Sequence, residues 1–119
     1  MIYLLTPTSD IQRMKLISKK ASGFIYYVSV TGVTGIRDTL DTSIKESILK
    51  IRKFTDLPIG VGFGISDKKQ AKKVSLWSDA VIVGSALVKI IEEKQNSKYL
   101  LPSVASFIHE LREGIDELV

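Results

Sequence analysis

Three short stretches carry the residue types that grip an anion. They are Val30-Thr-Gly-Val-Thr-Gly35, Gly62-Phe-Gly-Ile-Ser66 and Gly84-Ser85. Each combines glycine with a hydroxyl residue. Glycine lets backbone N–H groups come close to a ligand. A helix N-terminus offers unpaired N–H donors and a partial positive charge, and Ser85 adds a hydroxyl at such a start. Converging on one mouth, the three would make a phosphate cradle. Singly, Gly64 or Gly84 is explained by the tight strand exit it permits, and Thr34 or Ser85 by a helix cap. Turn chemistry alone does not explain why the pattern recurs at the same end of successive strands.

The acids point the other way. A general acid–base pair must lie within reach of the substrate. Asp10, Glu46 and Asp67 fall at expected helix starts, where capping or the helix dipole accounts for them. Asp56 lies in a turn before a strand and Asp79 begins a strand, so both belong to the far face. Glu92, Glu93, Glu110, Glu113, Asp116 and Glu117 fall on the last helices. Asp38 and Asp41 are near the correct mouth, in an expected loop where solvation or capping explains them. His109 reads as a surface or packing residue. There is no metal-ligand spacing and no Ser/His/Asp arrangement. No catalytic residue and no metal ligand is assigned; the chain reads as a binding half without its catalytic groups.

The elements that must position these loops alternate. Ile2 to Thr6 reads as a buried strand stopped at Thr6-Pro7. Ser9 or Asp10 caps a helix carrying Ile11, Met14, Ile17 and Ala21, which Gly23 ends. Phe24 to Ser29 is a β-branched and aromatic strand. Residues 30 to 41 read as a loop. The capping-box spacing Ser43-Ile-Lys-Glu46 starts a helix with Ile44, Ile48 and Ile51 on one stripe. After the turn Asp56-Leu57-Pro58, Ile59 to Gly62 is a third strand. Ser66 is expected to cap the next helix, with Ala71, Val74 and Trp77 on its apolar face. A fourth strand ends at Val83, and Gly84-Ser85 opens a helix from Ala86 to Glu93. A last helix begins near Pro102. Its stripe is Val104, Phe107, Ile108, Leu111, Ile115 and Leu118.

This βαβαβαβα order with one extra helix predicts an α/β fold with parallel strands and right-handed crossovers. Ligands in such folds bind at the carboxyl ends of the strands. Phe24, Tyr26 and Val28 share one face of the second strand. Tyr26 lines an aromatic-ligand pocket if that face points into a barrel, and otherwise packs the core.

The composition is that of one globular domain, with no linker or composition shift. The 119 residues are 45% hydrophobic and 25% charged, and none is cysteine. This excludes a disordered tail and a disulfide scaffold. No apolar run approaches the ~20 residues that span a bilayer, and no signal peptide is recognisable at Met1. A cytoplasmic location is the expectation. The formal charge of +4 comes from 17 Lys and Arg against 13 Asp and Glu. The pairs Lys19-Lys20, Lys68-Lys69 and Lys72-Lys73 read as solvated helix faces. Nucleic-acid binding is not expected, because no basic stripe with interleaved aromatics is present. A modest positive field suits a small anionic substrate.

Three segments resemble a known family, the tryptophan synthase alpha chain. They are Ser22-Gly-Phe-Ile-Tyr-Tyr-Val-Ser-Val-Thr-Gly-Val-Thr-Gly-Ile-Arg37, Thr55-Asp-Leu-Pro-Ile-Gly-Val-Gly-Phe-Gly-Ile-Ser66 and Ala80-Val-Ile-Val-Gly-Ser-Ala-Leu-Val-Lys-Ile-Ile91. The resemblance covers nearly all of the chain. It implies a TIM (β/α)8 barrel that cleaves indole-3-glycerol phosphate to indole and glyceraldehyde 3-phosphate by a retro-aldol reaction. It implies that Gly35, Gly64, Gly84 and Ser85 hold the phosphate, with Tyr26, Thr34, Gly62, Phe63 and Ile82 close to the ligand. It implies no cofactor for this chain, and a beta-chain partner that carries pyridoxal phosphate.

A barrel of this type takes about 250 residues and eight strands. The four strands expected here match the second half, strands five to eight, and the family's catalytic Glu and Asp belong to the first half. Residues 1–119 are therefore expected to form a single C-terminal half-barrel, (βα)4 with one extra helix, from a longer barrel. Open strand edges then predict self-association or pairing with an N-terminal half. The alternatives are a non-catalytic phosphate-binding module, half of another phosphate barrel such as indole-glycerol-phosphate synthase or a histidine-pathway isomerase, and a self-associating scaffold without ligand.

Overall fold

A computed structural model describes residues 1–6, 9–28, 37–62, 64–65 and 67–117, with backbone alone for 37–43. The elements are β1 (Tyr3–Leu5), α1 (Ile11–Lys20), β2 (Ile25–Val28), α2 (Arg37–Arg52), β3 (Ile59–Gly62), α3 (Lys68–Ser75), β4 (Ala80–Ile82), α4 (Ser85–Lys94) and α5 (Leu100–Asp116). The four strands form one parallel sheet in the order β1-β2-β3-β4. Each strand lies beside its neighbour in sequence, as successive crossovers of one hand require.

The two faces of the sheet differ. Leu5, Ile25, Tyr27, Ile59 and Val61 are fully buried, in one cluster with Met14 and Ile17 of α1, Ile44, Ile48 and Ile51 of α2, and Ala71 and Val74 of α3. Burial of each Leu, Ile or Val side chain contributes about 1.5–3 kcal/mol. The alternate residues face the other way. Leu4 remains 58% exposed and Ile2 47% exposed. The expectation of a buried first strand thus holds for Leu5 only, because no layer of the described chain covers the concave face.

Local chemistry sets the helix ends. Asp10 caps α1, its Oδ1 accepting from the Arg13 N–H at 2.7 Å. Ser9 instead accepts from the Thr6 N–H at 3.1 Å. Asp67 caps α3, accepting from the Gln70 N–H at 2.8 Å. This corrects the assignment of the cap to Ser66: a carboxylate is the stronger acceptor at a positive helix end. The capping-box reading of Ser43 is also overturned. Helix α2 begins at Arg37, so Glu46 is interior, and Asp38 and Asp41 belong to the helix rather than to a loop. No Gly or Pro between Ile36 and Ser43 stops the helix from extending back. Helix α5 begins at Leu100. Ile108 is exposed rather than part of its buried stripe, and Leu118 lies outside the described residues.

Helices α3 and α5 pack backbone to backbone. A Cβ at Gly114 would lie 2.6 Å from the Lys68 carbonyl oxygen, so only glycine fits. Lys68 Nζ reaches Glu117 at 2.7 Å and Glu113 at 3.7 Å, and Lys72 Nζ reaches Glu117 at 3.1 Å. Two lysines of the paired runs therefore clamp α3 to α5 instead of standing free in solvent.

At the opposite end from the strand exits, Asp79 ties β3 to β4. Its Oδ2 accepts from the Ile59 N–H at 2.9 Å and from Arg52 Nη2 at 3.0 Å. The Ile59 N–H, and then the Arg52 guanidinium, hold its carboxyl below the usual aspartate range. Glu117 is lowered as well, by Lys68 and Lys72. A depressed native pKa adds stability above the unfolded value, and that stability is lost as pH falls through the native one. Unfolding by urea, followed from neutral to about pH 3, should show stability falling below about pH 4. Asp79→Asn should flatten that fall; an unchanged acid limb would contradict the assignment.

Candidate functional site

The parallel register brings three strand ends into one row, Val28 beside Gly62 beside Ile82. All three line a cleft of about 700 Å³ at the C-terminal end of the sheet. Tyr26, Gly64, Gly84 and Ser85 line it as well. Helices α4 and α5 close one side with Ala86, Lys89, Ile90, Glu93 and Phe107.

Glycine on β3 makes room for the aromatic wall. A Cβ at Gly62 would lie 2.8 Å from the Tyr26 hydroxyl and 3.2 Å from its ring. A Cβ at Gly60 would lie 3.0 Å from Ile82 Cδ1 and 3.5 Å from the Phe24 ring. Tyr26 is paired with Gly60 in the register, yet its ring reaches over Gly62, towards the mouth. The face that Tyr26 shares with Val28 is the concave one.

The exit glycines differ from those on the strand. A Cβ at Gly64 or Gly84 would meet none of the described residues within 4 Å, and among the described glycines only Gly23 has a positive φ, 83°. No described neighbour demands glycine at 64 or 84, and neither has a positive φ. Gly84 precedes α4 without a side-chain cap, and the Val88 N–H to Gly84 carbonyl bond, 3.0 Å, is the first of that helix. The N–H groups of Ser85, Ala86 and Leu87 precede it and have no partner within the helix.

The sequence model of the tryptophan synthase alpha chain family matches residues 1–116. The chain belongs to this family. Alpha chains from Geobacter sp. (strain M21) and Nitrosococcus oceani are 45% and 48% identical to it over 115 and 117 residues. Each match covers 97% of this chain and 43% of the relative, so the chain spans less than half the length of these alpha chains. Among solved structures, tryptophan synthase from M. tuberculosis superposes with a TM-score of 0.78 at 30% identity, over 96% of this chain and 39% of that one. The alpha subunit from Legionella pneumophila str. Paris also gives 0.78, at 34% identity, over 98% and 42%. The four parallel βα units are thus half of the TIM barrel fold of the alpha chains.

Of the residues that the alpha-chain resemblance singled out, Tyr26, Gly62, Gly64, Ile82, Gly84 and Ser85 come together in the cleft. Thr34, Gly35 and Phe63 lie outside the described residues. Sequence reasoning passed over Lys89, Glu93 and Phe107. Lys89 and Glu93 follow Ser85 at steps of four, the spacing that places side chains on one helix face; that signal was available. Phe107 was legible only as part of an apolar stripe. Elsewhere, His109 is exposed and pairs with Glu113 at 2.8 Å on its own helix. Among the described residues no group of three or more His, Asp or Glu comes together to hold a metal, and no helix is long and apolar enough to cross a membrane.

The fit of Tyr26 over Gly62 is directly testable. In Gly62→Ala the Tyr26 ring must swing away, because the new methyl occupies its place. The ring resonances of Tyr26 should shift in NMR spectra. The unfolding free energy should fall by about 1–3 kcal/mol, as for other overpacked sites. Unmoved Tyr26 resonances would contradict the contact.

Proposed function

We propose that this chain is the phosphate-binding, C-terminal half of a tryptophan synthase alpha-type lyase, a cytoplasmic enzyme cleaving indole-3-glycerol phosphate to indole and glyceraldehyde 3-phosphate. The observation that carries this reading is the meeting of Gly62, Gly64, Gly84 and Ser85 in one cleft. At Gly64 and Gly84, no described neighbour and no positive φ calls for glycine. Glycine there suits close approach of backbone N–H groups to a ligand, and the start of α4, without a side-chain cap among the described residues, presents three donors and a positive dipole end. The resemblance to the alpha chains assigns Gly35 to the same anion site and assigns Tyr26, Thr34, Phe63 and Ile82 to the indole moiety, whose flat apolar surface suits an aromatic and aliphatic wall.

Retro-aldol cleavage needs a base to take the proton from the hydroxyl on the carbon that becomes the aldehyde. It also needs an acid to return a proton to the indole ring carbon as the C–C bond breaks. Glu93 is the single acid among the described residues of the cleft, and one carboxylate is not a pair. The reading therefore assigns both proton transfers to an N-terminal half. The same half covers the concave face around Leu4 and pairs with the edges of β1 and β4. The beta chain is the partner of the completed barrel. In the absence of the N-terminal half, a second copy takes over the open edges.

Two measurements test this. Mixed with a separately made N-terminal half of an alpha chain, the chain should release indole from indole-3-glycerol phosphate, and alone it should release none. Gly84→Asp fits sterically and sets a negative charge where the phosphate belongs, so it should remove both the activity and the binding of glycerol phosphate. Absence of indole release from a folded complex would favour the non-catalytic phosphate-binding module instead, and unchanged binding in Gly84→Asp would move the anion site elsewhere. Gel filtration of the chain alone at micromolar concentration should show a species larger than a 13.2 kDa monomer; a clean monomer would refute the edge-pairing part.

A further inference from the structure

We propose that Lys89 is the side-chain cation that binds the substrate's phosphate, acting together with the start of α4. The proposal rests on the phosphate reading of the cleft and adds a residue to it.

Charge balance gives the first argument. A helix N-terminus is equivalent to roughly +0.5 charge, whereas a phosphate monoester carries about −1.5 to −2 at neutral pH. Backbone donors alone leave most of that charge uncompensated. Among the described residues lining the cleft, Lys89 is the single cation.

Geometry gives the second. Lys89 is four residues after Ser85, hence on the same face of α4 and about 6 Å further along its axis. Side chains on a helix lean towards its N-terminus. A four-carbon stem leaning that way spans the distance back towards the N–H groups of residues 85–87, which precede the first hydrogen bond of α4. Glu93, the acid of the same face, lies one turn further from that start.

The third is the absence of a competing partner. Lys68 and Lys72 are held by Glu113 and Glu117. Lys89 makes no ion pair or hydrogen bond among the described residues. It is exposed at the cleft, where an anion reaches it without displacing an internal contact.

Calorimetric titration of the 119-residue chain with inorganic phosphate tests this. Lys89→Gln should bind about tenfold more weakly, the loss expected for one charge-assisted contact. Lys89→Arg should stay within about twofold of the unaltered chain, because charge and donors persist. Lys94→Gln, at the far end of α4 and outside the cleft, should bind unchanged. Affinity of the unaltered chain should fall with added salt more steeply than that of Lys89→Gln, which a merely structural role would not produce. Equal phosphate affinity in Lys89→Gln and the unaltered chain would overturn the proposal while leaving the cleft as the anion site. No phosphate binding by the unaltered chain would overturn both.

Discussion

Parallel hydrogen bonding between strands adjacent in sequence is the constraint on which the rest depends. Each α-helical crossover returns the chain to the same end of the sheet before the next strand begins. The exits of β3 and β4 therefore open side by side, and the row Val28, Gly62, Ile82 places three strand ends at one level. Residues remote in sequence, such as Tyr26 and Ser85, then line one cleft without any side chain having to reach far. An antiparallel pairing of the same strands would send alternate exits to opposite rims.

Charge is managed differently at the two ends of the sheet. At the rim where the strands begin, Asp79 is satisfied by the Ile59 N–H and by Arg52, which also donates to the Trp77 carbonyl at 3.1 Å. Those groups are mutually neutralised and tie β3, β4 and α2 together. At the mouth, among the described residues, the helix start has no side-chain cap and the lysine beside it makes no ion pair. Barrel folds separate stability and function in this way, with chemistry at the carboxyl ends of the strands.

The two faces of the sheet express what half a barrel can stabilise alone. The convex face is sealed by α1, α2 and α3, and its central side chains are fully buried. No layer of the described residues covers the concave face in that way. On β3, glycines let Phe24, Tyr26 and Ile82 fold across the strand and fill part of the space. At the edge, Leu4 stays exposed. A closed barrel would surround that leucine with side chains from the facing strands.

The local signals were legible where the responsible forces are local. Period-2 alternation in residues 24–28 and helical stripes such as Ile44, Ile48 and Ile51 named the strands, the helices and much of the core. The glycine and hydroxyl pattern named Gly64, Gly84 and Ser85. Cap assignments were less secure, because neighbouring residues compete for the same N–H groups: Asp67 displaced Ser66, and α2 ran back past Ser43 to Arg37.

The alternation of elements, the parallel sheet that follows from it and the glycines at the strand exits are thus written in local sequence. Packing in three dimensions is what sets Tyr26 over Gly62, commits Lys68 and Lys72 to the α3–α5 contact, and gathers Lys89 and Glu93 in the cleft with Ser85. The physical reason is distance along the chain. Periodicity and turn chemistry act within a few residues, whereas these contacts join segments that meet only after the sheet has formed.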